Sequence, residues 1–366
     1  MRTKLYLLPA IAIALCLQAN AKIWRLNNNG GGTLPLIVSP DFPSATTLQQ
    51  AHDNASVANG DTLHLEQSAT SYGNCTFTKR LVVIGAGYFL NLNPKTQVNK
   101  DYNSIVGQLT LQNAGAAGTV ITGLTQSAGS IWYVGANNVT ISRSRLNYAA
   151  GPRLYLGSGT AASCDGINIL QNYFDGASNT YTVQNAPSTT GNVTNLSIIG
   201  NIIGGYQGIS LGANSSGIFK NNTISVSYTP VSLVNFYVAN NMSYSTYGYG
   251  NSFDNSTIEY NMGTVAVHFV SPGGSANTIS SGNQTVALAS WNLVNGPSTD
   301  GYYQLTASSP AKGSGKNGDD MGAFGGQMPY KLSGIAAVPN IYSMTIGAIA
   351  PGASSISVTV GAKSNN

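Results

Sequence analysis

Short apolar stretches that are interrupted by asparagine recur along the middle of the chain. The stretch GIFKNNTI (217–224) places Asn221 and Asn222 inside an otherwise apolar segment. Related segments carry a polar residue at the position of Asn222 and an apolar residue three positions earlier. The polar positions are Ser144, Asn172, Asn201, Asn222, Asn241 and Asn261, and the apolar ones are Ile141, Ile169, Ile198, Phe219, Val238 and Ile258. The pattern predicts a series of similar short strands, each followed by a turn.

The spacing of these segments indicates stacked coils. Successive polar positions are 28, 29, 21, 19 and 20 residues apart. Unequal steps of about twenty to thirty residues are typical of a solenoid with loops inserted at one corner. Helical periodicity and the leucine pattern of leucine-rich repeats are both missing, so the sequence predicts an all-β solenoid of stacked coils.

The recurring asparagine has a physical explanation in such a fold. Coils that stack at about 4.8 Å place equivalent residues in one column, where each side-chain amide can donate to one coil and accept from the next. We expect Asn172, Asn201, Asn222, Asn241 and Asn261 to form this ladder and to supply the left-handed backbone conformation of the turn. Asn221 is expected to face water.

Two longer stretches resemble a known family. TTLQQAHDNASVANGDTLHLEQSATSYGNCTFTKRLVVIGAG (46–87) is similar to the opening of right-handed parallel β-helix proteins, with a short helix whose Leu48, Ala51 and Ala55 cover the first coil. SPAKGSGKNGDDMGAFGG (309–326) resembles their closing motif. The resemblance is to the pectate-lyase-like (pectin-lyase-like) superfamily of secreted bacterial proteins. It implies a right-handed β-helix and, for some members, polysaccharide lyase activity with calcium.

The two ends of the chain differ from the middle. Residues 1–21 combine Arg2 and Lys4 with an apolar run and a small-residue cleavage site, which predicts a signal peptide and a secreted or cell-surface location. The β-helix domain is predicted over 22–326, with its amino-terminal cap at about 40–60. Residues 327–366 are predicted to form a β-hairpin or small β module, which either caps the open end of the helix or attaches to something else.

Composition removes several classes of function. Only 8% of residues are charged and the net charge is +4, so no basic patch for nucleic acid is expected. No segment has the eighteen apolar residues of a transmembrane span. Cys75 and Cys164 are predicted to be unpaired buried thiols. The expected partner is a polysaccharide or a cell-surface component.

Residues suited to catalysis are sparse. Arg143, Arg145, Asp165 and Asp175 fall in neighbouring predicted coils and are the weak candidates for a lyase site, with Arg153 close in sequence. A salt-bridged surface patch would explain them equally well. His52, His64 and His268 lack metal-ligand spacing, and Asp319-Asp320 belongs to a turn, so no metal or cofactor is predicted, and Ca²⁺ is expected only if the protein is a lyase.

Aromatic residues favour a binding role. The residues after the ladder positions should point outward, and four of the six are apolar, which predicts an exposed interaction stripe: Arg145, Tyr173, Ile202, Thr223, Met242 and Met262. SYSTYGYGNSF (243–253) adds Tyr244, Tyr247, Tyr249 and Phe253, which either contact a sugar or pack over the coil. Together with Tyr173, these four are the predicted ligand-binding residues. The sequence predicts a non-catalytic glycan-binding or surface structural protein, with a polysaccharide lyase as the alternative.

Overall fold

A computed structural model of the 366-residue chain describes most of the predicted domain. The described residues are 21–29, 41–42, 46–147, 151–157, 163–175, 179–186, 191–274, 277–296, 298–348 and 354–365. The predicted signal peptide lies outside them, apart from Ala21. Among the described residues, no helix is long and apolar enough to cross a bilayer.

Three parallel sheets run along the molecule, and the described coils from Val82 to Gly274 each contribute to the sheets in the order sheet 1, sheet 2, sheet 3. Sheet 1 contains Ile23–Leu26, Thr62–Leu65, Val82–Ile84, Val120–Thr122, Thr140–Ser142, Asn168–Leu170, Val193–Ile199, Ser215–Lys220, Phe236–Ala239, Thr257–Glu259 and Ile279–Ser281, with Cys164–Asp165 pairing beside it. Sheet 2 contains Ile105–Val106, Thr125–Gln126, Arg145–Asn147, Tyr173–Asp175, Ile202–Gly205, Thr223–Val226, Met242–Ser245, Met262–Gly263 and Gln284–Thr285. Sheet 3 contains Cys75–Thr76, Leu109–Leu111, Trp132–Val134, Leu154–Leu156, Tyr181–Asn185, Gln207–Leu211, Val231–Val234, Ser252–Asp254 and Gly273–Gly274. The predicted all-β, parallel β-helix is confirmed.

Columns of apolar side chains fill the interior. The strands alternate inward and outward residues, and parallel pairing places each inward residue directly above its equivalent in the previous coil. In sheet 1 one fully buried column runs through Leu63, Val83, Ile121, Ile141, Ile169, Ile198, Phe219, Val238 and Ile258. The core is therefore continuous along the axis.

Asparagines form a second buried column at the turn between sheets 1 and 2. From Asn172 to Asn261, each asparagine donates its backbone N–H and its side-chain amide to the Oδ1 atom of the next asparagine, at 2.8–3.1 Å. The column ends at Asn283, which the sequence pattern did not include. At the other end, Ser144 donates its N–H to Asn172 Oδ1.

The left-handed residue of each turn is not the ladder asparagine but the residue before it, which corrects the expectation from sequence. Arg143, Gln171, Gly200, Asn221, Asn240, Tyr260 and Gly282 have φ between 46° and 69°. The ladder residue follows it, directly before the next strand of sheet 2, and its N–H and amide both donate to the next coil. The two tasks of the turn are divided between neighbouring residues.

Asn221 is buried, which also corrects the sequence expectation that it faces water. Its side-chain amide donates to the carbonyl of Asp320 at 3.0 Å, and Gly325 and Gly326 lie against it. In the same closing segment, Asp320 accepts from Lys312 Nζ at 3.0 Å and from the N–H of Gly313 at 2.8 Å. The segment around Asp319-Asp320 therefore packs along the side of the helix.

This carboxy-terminal segment covers the outward stripe of sheet 2. Tyr173 and Ile202 form a cluster with Ala323 and Tyr330, and Met242 and Met262 form another with Trp291, Ala311 and Met321. Ile202, Met242 and Met262 are fully buried. The expectation that the stripe is an exposed interaction surface is therefore wrong: its apolar side chains bury themselves against the chain's own later residues.

Helices are short. The amino-terminal helix spans Leu48–Asp53, and Thr47 and Gln50 form its capping box. Leu48 and Ala51 are buried as expected, whereas Ala55 lies beyond the helix and is exposed. A second helix spans Ala266–Phe269, and 3₁₀ turns span Ala114–Ala116, Leu288–Ser290, Gly301–Tyr303, Lys316–Gly318 and Leu332–Gly334.

Strands Asn340–Ile346 and Val358–Lys363 pair antiparallel, as predicted for a hairpin. Contacts at the root of the hairpin anchor it: Asn340 Nδ2 donates to the carbonyl of Thr96, and the carbonyl of Asn365 accepts from Arg143 Nη1 at 2.9 Å. Thr96 belongs to the loop between Val82–Ile84 and Ile105–Val106, far in sequence from the last coil at 273–285. The expectation that the hairpin caps the open end is therefore wrong. Cys75 and Cys164 are buried and unpaired, as predicted.

Candidate functional site

The four charged residues that the sequence grouped do not converge on one site. Arg145 and Asp175 pair across adjacent strands of sheet 2, with Nη2 at 2.7 Å and Nε at 3.0 Å from Asp175 Oδ2. Arg143 is a turn residue whose Nε donates to Gln171 Oε1 at 2.9 Å. Asp165 lies in the short strand Cys164–Asp165 beside sheet 1, where it accepts from Thr194 and Asn195. Of the predicted lyase residues, Arg145 and Asp175 therefore form a salt bridge, whereas Arg143 and Asp165 lie elsewhere.

Burial controls the charges around that salt bridge. Desolvation raises the pKa of Asp175 although Arg145 opposes the rise, so burial outweighs the ion pair. Arg153 is fully buried, and its Nε donates to the carbonyl of Asp175 at 2.7 Å. Burial lowers the pKa of Arg153 to about 10. These contacts anchor the corner between sheets 2 and 3.

Metal ligands do not gather in the part of the chain that the structure describes, where no three His, Cys, Asp or Glu residues come together. His52 is buried and its Nε2 accepts from the N–H of Thr78 at 3.1 Å. His268 is also buried, with Nδ1 accepting from the N–H of Thr264 at 3.3 Å and Nε2 lying 3.0 Å from the carbonyl of Tyr249. Each of these two histidines has a structural hydrogen bond.

The five predicted sugar-contact residues separate into buried and exposed groups. Tyr173 packs edge-on against Phe89 at 5.2 Å between ring centroids, and Phe253 lies in the core, stacked on Phe269. Tyr244 is half-buried and packs against the methionine cluster of sheet 2. Tyr247 and Tyr249 are 68% and 42% exposed. Tyr173 and Phe253 are therefore excluded as surface contacts, because their rings build the fold.

Tyr249 belongs to a column of three rings, here called the tyrosine stack: Tyr206, Tyr228 and Tyr249. The rings of Tyr206 and Tyr228 are nearly parallel, 6° apart, with centroids separated by 5.4 Å. Tyr249 continues the column at 3.9 Å from Tyr228, tilted by 40°. The stack lies at the corner between sheets 2 and 3, in three successive coils. A hydrogen bond with Tyr228 raises the pKa of Tyr249.

The outer face of sheet 3 adjoins the tyrosine stack and is polar without charge along its central row. Tyr133 and Tyr155 stack there, 5.5 Å apart and 23° from parallel, on paired strands. The next coils place Gln184, Ser210, Ser232 and Ser252 in the same row. Ring, amide and hydroxyl groups therefore follow one another along the axis.

The sequence pattern could have revealed the stack. Tyr206, Tyr228 and Tyr249 are separated by 22 and 21 residues, close to the spacing of the ladder asparagines in the same coils. The glycine-rich stretch drew attention to Tyr244, Tyr247, Tyr249 and Phe253, because they lie close together in sequence. The stacking partners come from earlier coils and had to be found by their period.

His268 supports the loop that carries the exposed rings. Because its Nδ1 accepts the Thr264 N–H, the proton lies on Nε2, which donates to the carbonyl of Tyr249. Asn251 Nδ2 donates to the carbonyl of His268 at 2.7 Å. Burial lowers the pKa of His268, so the ring is held neutral. The loop between Tyr247 and Asn251 is thereby fixed against the helix Ala266–Phe269.

Comparison of the chain with protein-family models, with curated proteins and with solved structures finds no significant match. The class that the geometry defines is a parallel β-helix with an aromatic and hydroxyl-rich face.

Proposed function

We propose that this protein is an exported, non-catalytic β-helix that binds glycans through the tyrosine stack and the adjoining face of sheet 3. The observation that carries the proposal is the alignment of Tyr206, Tyr228 and Tyr249 in three successive coils, next to the exposed ring of Tyr247. Export rests on the predicted signal peptide. Membership of the pectate-lyase-like superfamily remains part of the proposal and rests on the two sequence stretches and the architecture.

The chemistry of this face suits sugars. The C–H faces of a pyranose ring pack on aromatic rings, while its hydroxyls exchange hydrogen bonds with amide and hydroxyl groups. The row from Gln184 to Ser252 supplies amide and hydroxyl groups at the coil spacing of about 4.8 Å. Because neighbouring rings cover one another inside the stack, Tyr247 and the end of the stack at Tyr249 offer the most accessible aromatic surface.

The alternative, a polysaccharide lyase, depends on the pair Arg145 and Asp175. A lyase needs a base next to a neutralised uronate, whereas Arg145 is engaged by Asp175 and its guanidinium carbon lies 4.7 Å above the ring of Phe89. Arg145 would have to leave Asp175 to act as a base, whereas binding by the tyrosine stack requires no rearrangement. Glycan binding is therefore the function that the geometry supports best.

The test is incubation of the mature protein with a panel of neutral and acidic polysaccharides. Retardation in affinity electrophoresis on at least one glycan, without a rise in ultraviolet absorbance from unsaturated products, is the expected result. A rise in absorbance would favour the lyase alternative. Absence of both retardation and cleavage on every glycan would contradict the proposal and leave a structural role.

A further inference from the structure

The last coil of the β-helix ends in a row of strands that is here called the open edge: Ile279–Ser281, Gln284–Thr285 and Gly273–Gly274. They are the last described strands of sheets 1, 2 and 3, and each pairs with one strand, that of the preceding coil. All residues of Ile279–Ser281 are exposed, and Ile279 is 65% exposed. The open edge therefore presents strand backbone that no described strand covers.

The asparagine ladder reaches the same end with an unused donor. From Asn172 to Asn261, each ladder asparagine donates its N–H to the asparagine of the next coil. Asn283 accepts from the N–H of Asn261 at 2.9 Å, but no group of the described chain accepts from the N–H of Asn283. The ladder therefore stops where a further coil would continue its hydrogen bonds.

The opposite end of the β-helix is covered by the chain itself. Side chains of the helix Leu48–Asp53 bind backbone groups at the first strand of sheet 3. Gln49 Oε1 accepts from the N–H of Thr76 at 2.7 Å, and His52 Nε2 accepts from the N–H of Thr78 at 3.1 Å. Terminal repeats of solenoids generally need such a cap, because uncovered strands pair with other chains. The open edge has no cap of this kind in the described part of the chain.

The sequence of the last coil does not oppose pairing with another chain. Edge strands are commonly kept apart by charged residues or by proline. Between Val265 and Ala287 there is no Asp, Glu, Lys or Arg, and Pro272 precedes Gly273–Gly274 instead of interrupting the longer strand Ile279–Ser281. The segment 265–287 is close in size to one side of a standard protein interface, roughly 20–30 residues. The open edge is therefore neutral and large enough for a stable contact.

We propose that the open edge is an interface at which a second copy of this chain docks end to end, across a two-fold axis. The axis reverses the second copy, so edge strands of the two copies meet antiparallel and hydrogen-bond through their outward backbone groups. A neutral edge lets identical copies approach without repulsion, and pairing removes Ile279 from water. Because the helix Leu48–Asp53 covers the other end, the assembly closes at two copies instead of continuing as a filament.

The experiment is sedimentation equilibrium of the mature chain over a range of concentrations, without glycan. The test variant is Ile279→Lys, which places a charge on the open edge of each copy. The control is Ile218→Lys, the same substitution at a 41% exposed residue of sheet 1 whose strand has a neighbour on both sides. The unmodified chain and the control are expected to form dimers, with a dissociation constant roughly tenfold or more higher in Ile279→Lys, because the two lysines repel.

Monomers at every concentration, equal dissociation constants in the test and control variants, or assemblies that grow beyond the dimer would overturn the proposal. Thr285→Lys, at an exposed residue of the neighbouring edge strand, makes the same test if Ile279→Lys does not fold. Hydrogen exchange of residues 279–285 gives a second readout, since these amides are expected to exchange more slowly in the dimer. Tyr228→Ala is expected to leave dimerisation unchanged, so this proposal and the glycan proposal fail separately.

Discussion

The Oδ1 atom of Asn241 accepts two hydrogen bonds from Asn222, one from its backbone N–H at 2.9 Å and one from its side-chain amide at 3.0 Å. Asn222 receives the same pair of bonds from Asn201. Each asparagine therefore accepts hydrogen bonds from the previous asparagine of the ladder and donates to the next, in a site without water access. A leucine would fit the apolar interior, but the N–H of Asn201 would lose its acceptor and the Oδ1 of Asn241 would lose one of its two donors.

Asn222→Leu is expected to lower the free energy of unfolding by roughly 1–3 kcal/mol, because the N–H of Asn201 loses its acceptor and the Oδ1 of Asn241 loses one of its two donors. Chemical denaturation measures the change. Asn91→Leu, at an exposed asparagine, is the control and should have little effect. An equal, small change in both variants would argue against the ladder.

Tyr260 is the aromatic member of the left-handed column, with φ of 54°. A left-handed conformation costs a non-glycine residue about 1–2 kcal/mol, and asparagine tolerates it best. Tyr260→Asn is therefore expected to raise the free energy of unfolding by about 0.5–1 kcal/mol. Tyr302, similarly exposed but with negative φ, serves as the control. A destabilised Tyr260→Asn would show that packing of the ring outweighs the backbone strain.

Because the carboxy-terminal segment covers sheet 2, truncating an outward-pointing side chain there should cost as much stability as truncating a core residue. Met242→Ala is expected to cost about 2–5 kcal/mol, since Met242 is fully buried against Met262 and Met321. Ile218→Ala provides a matched comparison, because Ile218 points outward from sheet 1 and is 41% exposed. Its expected cost is below about 1 kcal/mol. Similar costs at both positions, measured by denaturation, would mean that the covering segment is not stably packed.

The sequence allowed the architecture to be predicted because its repeat is local. An apolar residue three positions before a serine or asparagine recurs in six coils, and this register places Ile141, Ile169 and Ile198 in one column. Composition could not show which of two adjacent positions takes the left-handed conformation and which joins the ladder. Asn occurs at both, as Asn221 at the left-handed position and Asn222 at the ladder position. The two roles differ only in backbone angle.

The candidate site was predicted less well, because it depends on contacts between distant segments. Nothing in the strand around Met242 shows that Met321 will cover it, 79 residues later. The tyrosines of the stack likewise lie in three different coils. The groups that do lie close in sequence, such as Arg143 and Arg145, point to different sides because a turn separates them.

His268 gives the fold a specific dependence on pH. Its pKa in the native state lies below the ordinary value of 6.5, so the unfolded chain binds the proton first as the pH falls. The free energy of unfolding should therefore decrease below about pH 6.5. In His268→Gln this part of the decrease should be absent, which denaturation curves at a series of pH values between about 5 and 7 would show. His64, whose pKa is also lowered by burial, remains in both proteins.

An unchanged slope in His268→Gln would contradict a buried neutral imidazole at this position. The same variant also reports on the loop, because His268 Nε2 donates to the carbonyl of Tyr249. Loss of that bond is expected to increase proteolysis between Tyr247 and Asn251 under native conditions.

Glycan binding by the tyrosine stack is tested most directly by the affinity of the retained glycan for stack variants. Tyr228→Ala removes the central ring and Tyr247→Ala the most exposed one, and each is expected to weaken binding by about tenfold, the loss of roughly 1–1.5 kcal/mol of aromatic contact. Tyr102→Ala, at a tyrosine that is 47% exposed far from the stack, should bind like the unmodified protein. Calorimetric titration that gives the same affinity for all four proteins would contradict the account.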